Sequence, residues 1–232
     1  INTPTVPKNV RRSSYKEYQN NLGVPQGLAI SNILAAIYMR AVDTEMSKLP
    51  IKYYRYVDDV LMYGDEDLLK KAQKSLASRL KRRGLDLHGK KSGKSHFASL
   101  DKPFSYLGYR FKWPDITVRD AAVERLLQSL AAKFSDYIHN RTRRLEKLKY
   151  LDEKRLADIF IIELNEKITG AISEKKRYGW IAYFSQISDL TLLHKLDSMV
   201  VSLFARLPDF DRKPPSSLKK FARSYYEMKF NP

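Results

Sequence analysis

The sequence predicts an α+β fold in which a mixed region, residues 1–118, precedes an all-helical region, residues 119–232. Three observations lead to this prediction. Tyr, Val and Ile are concentrated between Ile51 and Gly64 around two central acidic residues, as in two strands that meet at a tight turn. After about Arg119, apolar residues repeat at intervals of three and four, which is the period of a helix. The hydrophobic share of 43% is that of a chain with a folded core.

The first region contains two expected helices and several expected strands. The first helix follows Leu28, runs towards Met46, and has Ser31 or Asn32 as its expected N-cap. A second helix is expected after Asp65, because acidic residues favour its first turn and Gly84 follows its basic last turn. Short strands are expected at Leu85–Leu87, Phe104–Trp113 and Ile116–Val118.

Three apolar stripes define the helices expected in the second region. They run from Val123 to Ile138, from Leu156 to Ile168 and from Leu190 to Leu207. Two prolines, Pro214 and Pro215, interrupt the chain before a last short basic helix.

The charge balance points to a polyanionic partner. The chain has 43 Lys and Arg against 26 Asp and Glu, a formal net charge of +17. Such an excess repels itself in a folded protein, and nucleic acid is the natural counterion. The alternative is that the charge only keeps the protein soluble. No apolar run is long enough to span a membrane, and the lack of cysteine excludes disulfides and cysteine-bound zinc.

Two adjacent carboxylates, Asp58 and Asp59, lie at the centre of the expected hairpin. Adjacent acids repel each other and are poor strand residues, so structure alone disfavours them there. A turn that directs them at divalent cations removes the objection, because Mg²⁺ prefers carboxylate oxygens. The alternative is a solvated turn without a ligand.

A glycine-rich loop precedes the first helix. Gly23 and Gly27 permit close approach of another backbone, Pro25 stiffens the loop, and Gln26 offers an uncharged donor and acceptor. Such a loop can lie beneath a base pair and a triphosphate. Taken by itself, it can equally be a plain turn before a helix.

Together these two segments resemble the B and C motifs of reverse transcriptases. Gly-Val-Pro-Gln-Gly at 23–27 is followed about thirty residues later by Tyr-Val-Asp-Asp at 56–59. The resemblance is closest to the bacterial group of group II intron, retron and phage-defence enzymes. Residues 85–92 resemble the Leu-x-Leu-Asn-x-x-Lys-Thr signature, with His88 in place of Asn, and residues 104–109 resemble the Phe-Leu-Gly hairpin. The resemblance implies a partial right-hand palm over 1–118 and an all-helical thumb over 119–232.

The resemblance also implies a role for each matching residue. Asp58 is the principal ligand and Asp59 the supporting ligand of two Mg²⁺ ions, with Mn²⁺ as the alternative metal. The expected nucleotide and template contacts are Gly23, Pro25, Gln26, Gly27, Tyr56 and Lys91, and the expected primer grip is Leu107, Gly108 and Tyr109. Basic residues expected along the nucleic-acid backbone are Arg143, Arg144, Lys175, Lys176 and Arg177, although each cluster can equally be a solvated helix face.

The implied function is an RNA-directed DNA polymerase, a nucleotidyltransferase that adds deoxynucleotides to a primer 3′-hydroxyl on an RNA template. The bacterial cytoplasm, antiviral defence and a dedicated noncoding RNA are the expected setting, with an oligomer or an associated defence protein left open. The alternatives are an RNA-directed RNA polymerase and a non-catalytic RNA-binding module.

The chain departs from the family at its start. Ile1–Asn21 contains no aspartate, so neither the upstream catalytic aspartate nor the fingers are expected there. A longer protein is favoured over a second polypeptide or a dead enzyme, and the isolated chain is not expected to extend a primer.

Overall fold

The computed structural model describes residues 23–24, 28–89, 95–173 and 176–230, with the backbone alone at 171–173 and 176–178. The chain divides into two compact units, Ile1–Phe97 and Ala98–Pro232. Helices and small antiparallel sheets occur together, so the predicted α+β class is confirmed. Within these described ranges, no helix combines the length and the apolar character needed to cross a membrane.

The first unit packs two helices beneath one hairpin. Helix α1 spans Ser31–Met46, strands β1 and β2 span Lys52–Tyr56 and Asp59–Tyr63, and helix α2 spans Glu66–Lys81. The core residues are apolar and recur at helical spacing on the facing sides of α1 and α2, where they meet inward side chains of the hairpin. They are Met39, Val42, Met46, Ala72, Leu76 and Leu80, with Tyr53, Val60 and Met62 packed against them.

The N-terminal ends of α1 and α2 can be compared with the sequence predictions. Helix α2 begins after Asp65 as predicted, and the Asp65 side chain caps it by accepting hydrogen bonds from the backbone N–H groups of Asp67 and Leu68. The predicted cap of α1 is wrong: Ile30 occupies the N-cap position without a side-chain hydrogen bond, and Ser31 is the first helical residue.

The strand predicted at Leu85–Leu87 is wrong as well, since these residues adopt no regular secondary structure. Leu87 instead packs against the core of the first unit. Its apolar character therefore reflects burial, and a short β-prone run becomes a strand only where another strand pairs with it.

The second unit begins with a three-stranded antiparallel sheet and continues mainly as helices. The sheet has the order β3–β4–β5. Its strands and the elements that follow are β3 Phe104–Tyr106, β4 Tyr109–Lys112, β5 Asp115–Val118, α3 Asp120–Lys147, α4 Glu153–Thr169, β6 Ala171–Ser173, β7 Lys176–Tyr178, α5 Trp180–Tyr183, α6 Leu190–Phe204, a 3₁₀ turn at Pro208–Phe210 and α7 Phe221–Phe230.

An aromatic cluster forms the centre of this unit. The ring of Phe204, which is fully buried, meets the rings of Phe134 and Phe210 edge-on at centroid distances of 5.0 and 5.3 Å. Phe160 meets Phe134 in the same manner at 5.1 Å. Edge-to-face contacts are a preferred arrangement of aromatic rings, and this cluster joins α3, α4 and α6.

The prediction that the chain is all-helical after residue 119 is wrong at one place, where β6 and β7 form a hairpin. Glycines at its base explain the interruption. Gly170 ends α4 with φ of 84°, and a Cβ on Gly179 would lie only 2.3 Å from the Gly170 Cα. The two backbones can therefore meet only because Gly179 lacks a side chain, and the positive φ of Gly170 also favours glycine.

The β3–β4–β5 sheet packs with the helices that follow it. The Ser188 N–H donates to the Ile116 carbonyl over 2.8 Å, and the Thr117 hydroxyl donates to an Asp189 carboxylate oxygen over 3.0 Å. The compact units accordingly divide between Phe97 and Ala98. The division into palm and thumb near Arg119 stays a prediction about function.

Candidate active site

The β1–β2 hairpin places Asp58 and Asp59 at its tip. Its antiparallel register pairs Tyr56 with Asp59, so the connecting turn consists of Val57 and Asp58 alone. Asp59 is the first residue of β2. The register thus confirms the tight strand–turn–strand arrangement that the sequence predicted, with both carboxylates at the turn.

Val57 has a backbone conformation that is unusual for its residue type. Its φ of 55° lies in the left-handed region, where a β-branched side chain crowds the backbone. A non-glycine residue in such a region costs about 1–3 kcal/mol and persists only where the surroundings hold it. The turn is therefore strained, and strain of this kind is concentrated at functional sites.

Both carboxylates are exposed, and neither has a partner in the part of the chain that the structure describes. Neither the Asp58 nor the Asp59 side chain forms a hydrogen bond or an ion pair with any residue that the structure describes. Elsewhere in the same unit, exposed acids such as Glu45 and Glu66 are paired with a nearby lysine. Two adjacent unpaired carboxylates at a strained turn are suited to bind a hard cation.

Three residues behind the turn form a polar contact that the sequence analysis missed. Arg55 on β1 makes a two-pronged ion pair with Asp43 on α1, and the Tyr53 hydroxyl donates to the same carboxylate over 2.9 Å. A signal was available: strand alternation directs Arg55 towards the same side as the core residue Tyr53, and an inward arginine requires a partner.

The electrostatics of this contact keep the pair charged at neutral pH. Burial raises the pKa of the Asp43 carboxyl, but hydrogen bonds from Arg55 and Tyr53 outweigh it, and the pKa falls below its usual value. For Tyr53, burial and the adjacent Asp43 carboxylate both raise the pKa, so the phenol stays protonated and remains a donor. The Asp43 hydrogen bond likewise raises the pKa of Arg55.

The predicted primer grip forms a second tight hairpin. Strands β3 and β4 pair Tyr106 with Tyr109, which leaves Leu107 and Gly108 as the turn. Both turn residues have positive φ, 49° and 82°, as a two-residue hairpin of this hand requires. Contact of this turn with a primer stays a prediction.

Helix α5 holds the second hairpin through two reciprocal hydrogen bonds. The Tyr109 hydroxyl donates to the Tyr183 carbonyl over 2.6 Å, and the Tyr183 hydroxyl donates to the Leu107 carbonyl over 3.1 Å. Phe184 closes the same contact, because a Cβ on Gly108 would lie 3.3 Å from its ring. Tyr183 thus positions the turn, a role that the sequence analysis did not assign.

Gly108→Ala is expected to destabilise the second unit by about 1–2 kcal/mol, because alanine is strained at positive φ and its methyl group presses on Phe184. Urea unfolding followed by tryptophan fluorescence measures this, since both tryptophans, Trp113 and Trp180, belong to the second unit. Ser105→Ala on the exposed side of β3 is the control and is expected to leave the midpoint in place. An unchanged midpoint for Gly108→Ala would contradict the proposed fit.

The predicted basic residues differ in whether an acidic side chain already forms an ion pair with them. Arg144 forms an ion pair with Asp136 over 2.6 Å, whereas Arg143 is exposed and unpaired within the described part of the chain. Arg141, beside them, binds both Glu153 and Asp209. Lys175 lies outside the described residues, as do the side chains of Lys176 and Arg177.

The remaining predicted nucleotide and template contacts are described only in part. Gly23 has a φ of 102°, and no described residue lies within 4 Å of the position that a Cβ would take there. Tyr56 is exposed beside the Val57 turn. The others, Pro25, Gln26, Gly27 and Lys91, are outside the described residues.

No group of three or more acidic, His or Cys side chains suited to a metal occurs among the described residues. The described residues therefore bring only two carboxylates together at the hairpin tip, and carboxylate oxygens are ligands that hard divalent cations prefer.

Comparison with known proteins supports a polymerase family for the segment that contains both hairpin turns. Residues 2–111 match the reverse transcriptase (RNA-dependent DNA polymerase) family. The match covers just under half of the 232-residue chain. It includes Asp58, Asp59 and the Leu107–Gly108 turn, and it ends within β4, so helices α3 to α7 lie beyond it. Among curated proteins, none matches the chain.

Proposed function

We propose that this chain forms the palm and thumb of an RNA-directed DNA polymerase, with residues 1–118 as palm and 119–232 as thumb. The observation that supports it most directly is a pair of exposed carboxylates at the strained Val57 turn that have no partner among the described residues, inside the segment similar to reverse transcriptases. The family match supports polymerase activity in general. The roles of Asp58 and Asp59 in that activity follow from the resemblance at residues 56–59 and are part of the proposal.

The donor set fits Mg²⁺, which prefers carboxylate oxygens and keeps several ligands from water and substrate phosphates. Asp58 would be the principal ligand and Asp59 the supporting one, with Mn²⁺ as a substitute for Mg²⁺. When bound, two such ions would lower the pKa of the primer 3′-hydroxyl and offset the charge on the departing pyrophosphate. A third protein ligand would have to come from outside the described residues.

The residues of the chain itself would position the reactants. The two-residue turn presents both carboxylates together, and Tyr56, 60% exposed, flanks them where a primer end or a nucleotide could pack. The Leu107–Gly108 turn offers a backbone that Tyr109 and Tyr183 hold in place, which suits a grip on the primer. A rigid turn positions a strand end better than a mobile one, because less freedom is lost on binding.

The function is tested with the full-length protein, an RNA template, a DNA primer and labelled nucleotides. We expect incorporation of deoxynucleotides that requires both Mg²⁺ and the RNA template. Incorporation of ribonucleotides instead would identify an RNA-directed RNA polymerase. RNA binding without incorporation of either would indicate a non-catalytic module and would contradict the proposal.

Nucleic-acid binding by α3 is expected to depend on Arg143 more than on Arg144. Arg143→Gln removes a phosphate contact, which lowers the affinity for an RNA–DNA duplex and reduces the slope of log affinity against log salt by about 1. Arg144→Gln, one residue away, is the matched variant, and its effect is expected to be smaller because Asp136 already binds the Arg144 guanidinium. Filter binding at four salt concentrations measures both. Equal slopes for Arg143→Gln and the unaltered protein would contradict a phosphate contact there.

We propose further that the enzyme works in the bacterial cytoplasm, in antiviral defence, with a dedicated noncoding RNA as template. Two features support a bacterial, RNA-bound enzyme: the residues at 23–27 and 56–59, which resemble those of bacterial reverse transcriptases, and the net charge of +17. Sequencing the RNA that copurifies with the full-length protein tests this. One dominant transcript is expected, and a sample of RNA that mirrors general cellular abundance would contradict a dedicated template.

A further inference from the structure

Arg55 connects the Val57–Asp58 turn of the first unit to helix α1. Arg55 donates from Nε and Nη2 to the two oxygens of Asp43, at 2.8 and 2.5 Å. Its third nitrogen, Nη1, donates to the backbone carbonyl of Val57 over 2.7 Å. All three nitrogens of the guanidinium are therefore engaged, two with the helix and one with the turn.

The carbonyl that Arg55 contacts belongs to the peptide bond between Val57 and Asp58. That peptide follows the residue with φ of 55°, so it is the part of the hairpin most in need of support. A hydrogen bond to this carbonyl favours one orientation of the Val57–Asp58 peptide plane. That orientation affects the direction in which the Asp58 side chain points. Arg55 thus acts on Asp58 without touching a substrate or a metal.

The pair is well suited to a positioning role because it is rigid and shielded. The Arg55 side chain is only 10% exposed and that of Asp43 29%. A planar guanidinium bound at two points has little freedom left, so its third donor is held in a defined place. The Tyr53 hydroxyl secures the carboxylate from a third side.

We propose that Asp43 and Arg55 are positioning residues that hold the Val57–Asp58 peptide in the conformation in which Asp58 binds the catalytic metal. The proposal rests on the proposed function, since it takes Asp58 to be a metal ligand. It adds residues that touch neither metal nor substrate, and it explains how a strained turn persists at an exposed tip.

A different result is expected if the Asp43–Arg55 ion pair has only a structural role. If the pair only fastened the hairpin to α1, its loss would lower stability and leave metal affinity at the turn unchanged. The unit provides a comparison: Arg79 on α2 is paired with Glu45 on α1 over 3.4 Å and does not contact the turn. Arg79→Lys is therefore the matched control.

The test measures Mn²⁺ binding by electron paramagnetic resonance in the full-length protein, with a template, a primer that lacks its 3′-hydroxyl, and a deoxynucleotide. No turnover occurs, so the readout is affinity alone. Arg55→Lys keeps the charge but cannot bridge Asp43 and Val57 at once, and we expect a rise of about tenfold in the Mn²⁺ dissociation constant. Arg79→Lys is expected to leave it unchanged.

Two further variants separate the possible failures. Asp58→Asn tests the ligand assignment itself: if it does not weaken Mn²⁺ binding, the metal assignment in the proposed function fails and the positioning role falls with it. Weakening by Asp58→Asn but not by Arg55→Lys overturns the positioning role alone. The double variant Asp43→Asn, Arg55→Lys is expected to have nearly the same Mn²⁺ dissociation constant as Arg55→Lys alone, because Asp43 acts through the arginine.

Stability is followed separately by amide hydrogen exchange. In Arg55→Lys the amides of α1 and α2 are expected to keep their protection, while the Asp58 amide exchanges faster. Faster exchange throughout the unit, together with unchanged Mn²⁺ affinity, would show that the pair only fastens the hairpin and would overturn the proposal.

Discussion

Asp58→Asn is expected to lower the rate of deoxynucleotide incorporation by about 10²–10³-fold at saturating nucleotide, the range seen when one charge-stabilising group is removed from a transition state. Asparagine keeps the size of the side chain and one oxygen but loses the charge that a hard cation prefers. Asp59→Asn is expected to lose less, because Asp59 is the supporting ligand in the proposed arrangement.

The exposure of Asp58 makes this a test of chemistry more than of folding. The side chain is exposed and forms no hydrogen bond or ion pair with a described residue, so its replacement is expected to leave the packing of the hairpin in place. Asp67→Asn is the matched control, since that carboxylate is 85% exposed on the first turn of α2 and lies outside the β1–β2 hairpin. Single-turnover incorporation by the full-length protein measures the effect. Equal rates for Asp58→Asn and Asp67→Asn would contradict the metal-ligand assignment.

Phe204→Ala is expected to destabilise the second unit by about 3–5 kcal/mol, the range for removal of a buried aromatic ring. Phe204 is fully buried, and its ring meets rings from α3 and from the 3₁₀ turn edge-on. The neighbouring rings are themselves packed against each other, so they cannot collapse into the space that alanine leaves. The destabilisation therefore includes both the transfer of the ring and the cavity.

Urea unfolding followed by tryptophan fluorescence measures this destabilisation, because Trp180 contacts the same core. Phe230→Ala is the matched control: its ring is 65% exposed at the end of α7, and a change within about 0.5 kcal/mol is expected. A similar shift for both variants would mean that the aromatic cluster does not determine the stability of this unit.

Local patterns in the sequence were sufficient to predict several elements of the fold. The hairpin at Asp58 and the helix after Asp65 were predicted correctly because turn residues, acidic caps and apolar spacing act between near neighbours in the chain. The strand predicted at Leu85–Leu87 failed because strand formation depends on a pairing partner, which the local sequence does not report. The β6–β7 hairpin was missed because its reason lies in the contact between Gly170 and Gly179.

The chemistry of the candidate site was also readable from the sequence, because the residue types themselves determine it: two adjacent carboxylates at a turn and a strong excess of basic residues. The tertiary structure alone decided which side chains support the Val57–Asp58 turn and which support the Leu107–Gly108 turn. Arg55 and Asp43 are 12 residues apart, and Tyr183 and Leu107 are 76 apart. Hydrogen-bond partners at such separations are chosen by how helices and strands pack, and no local pattern records that choice.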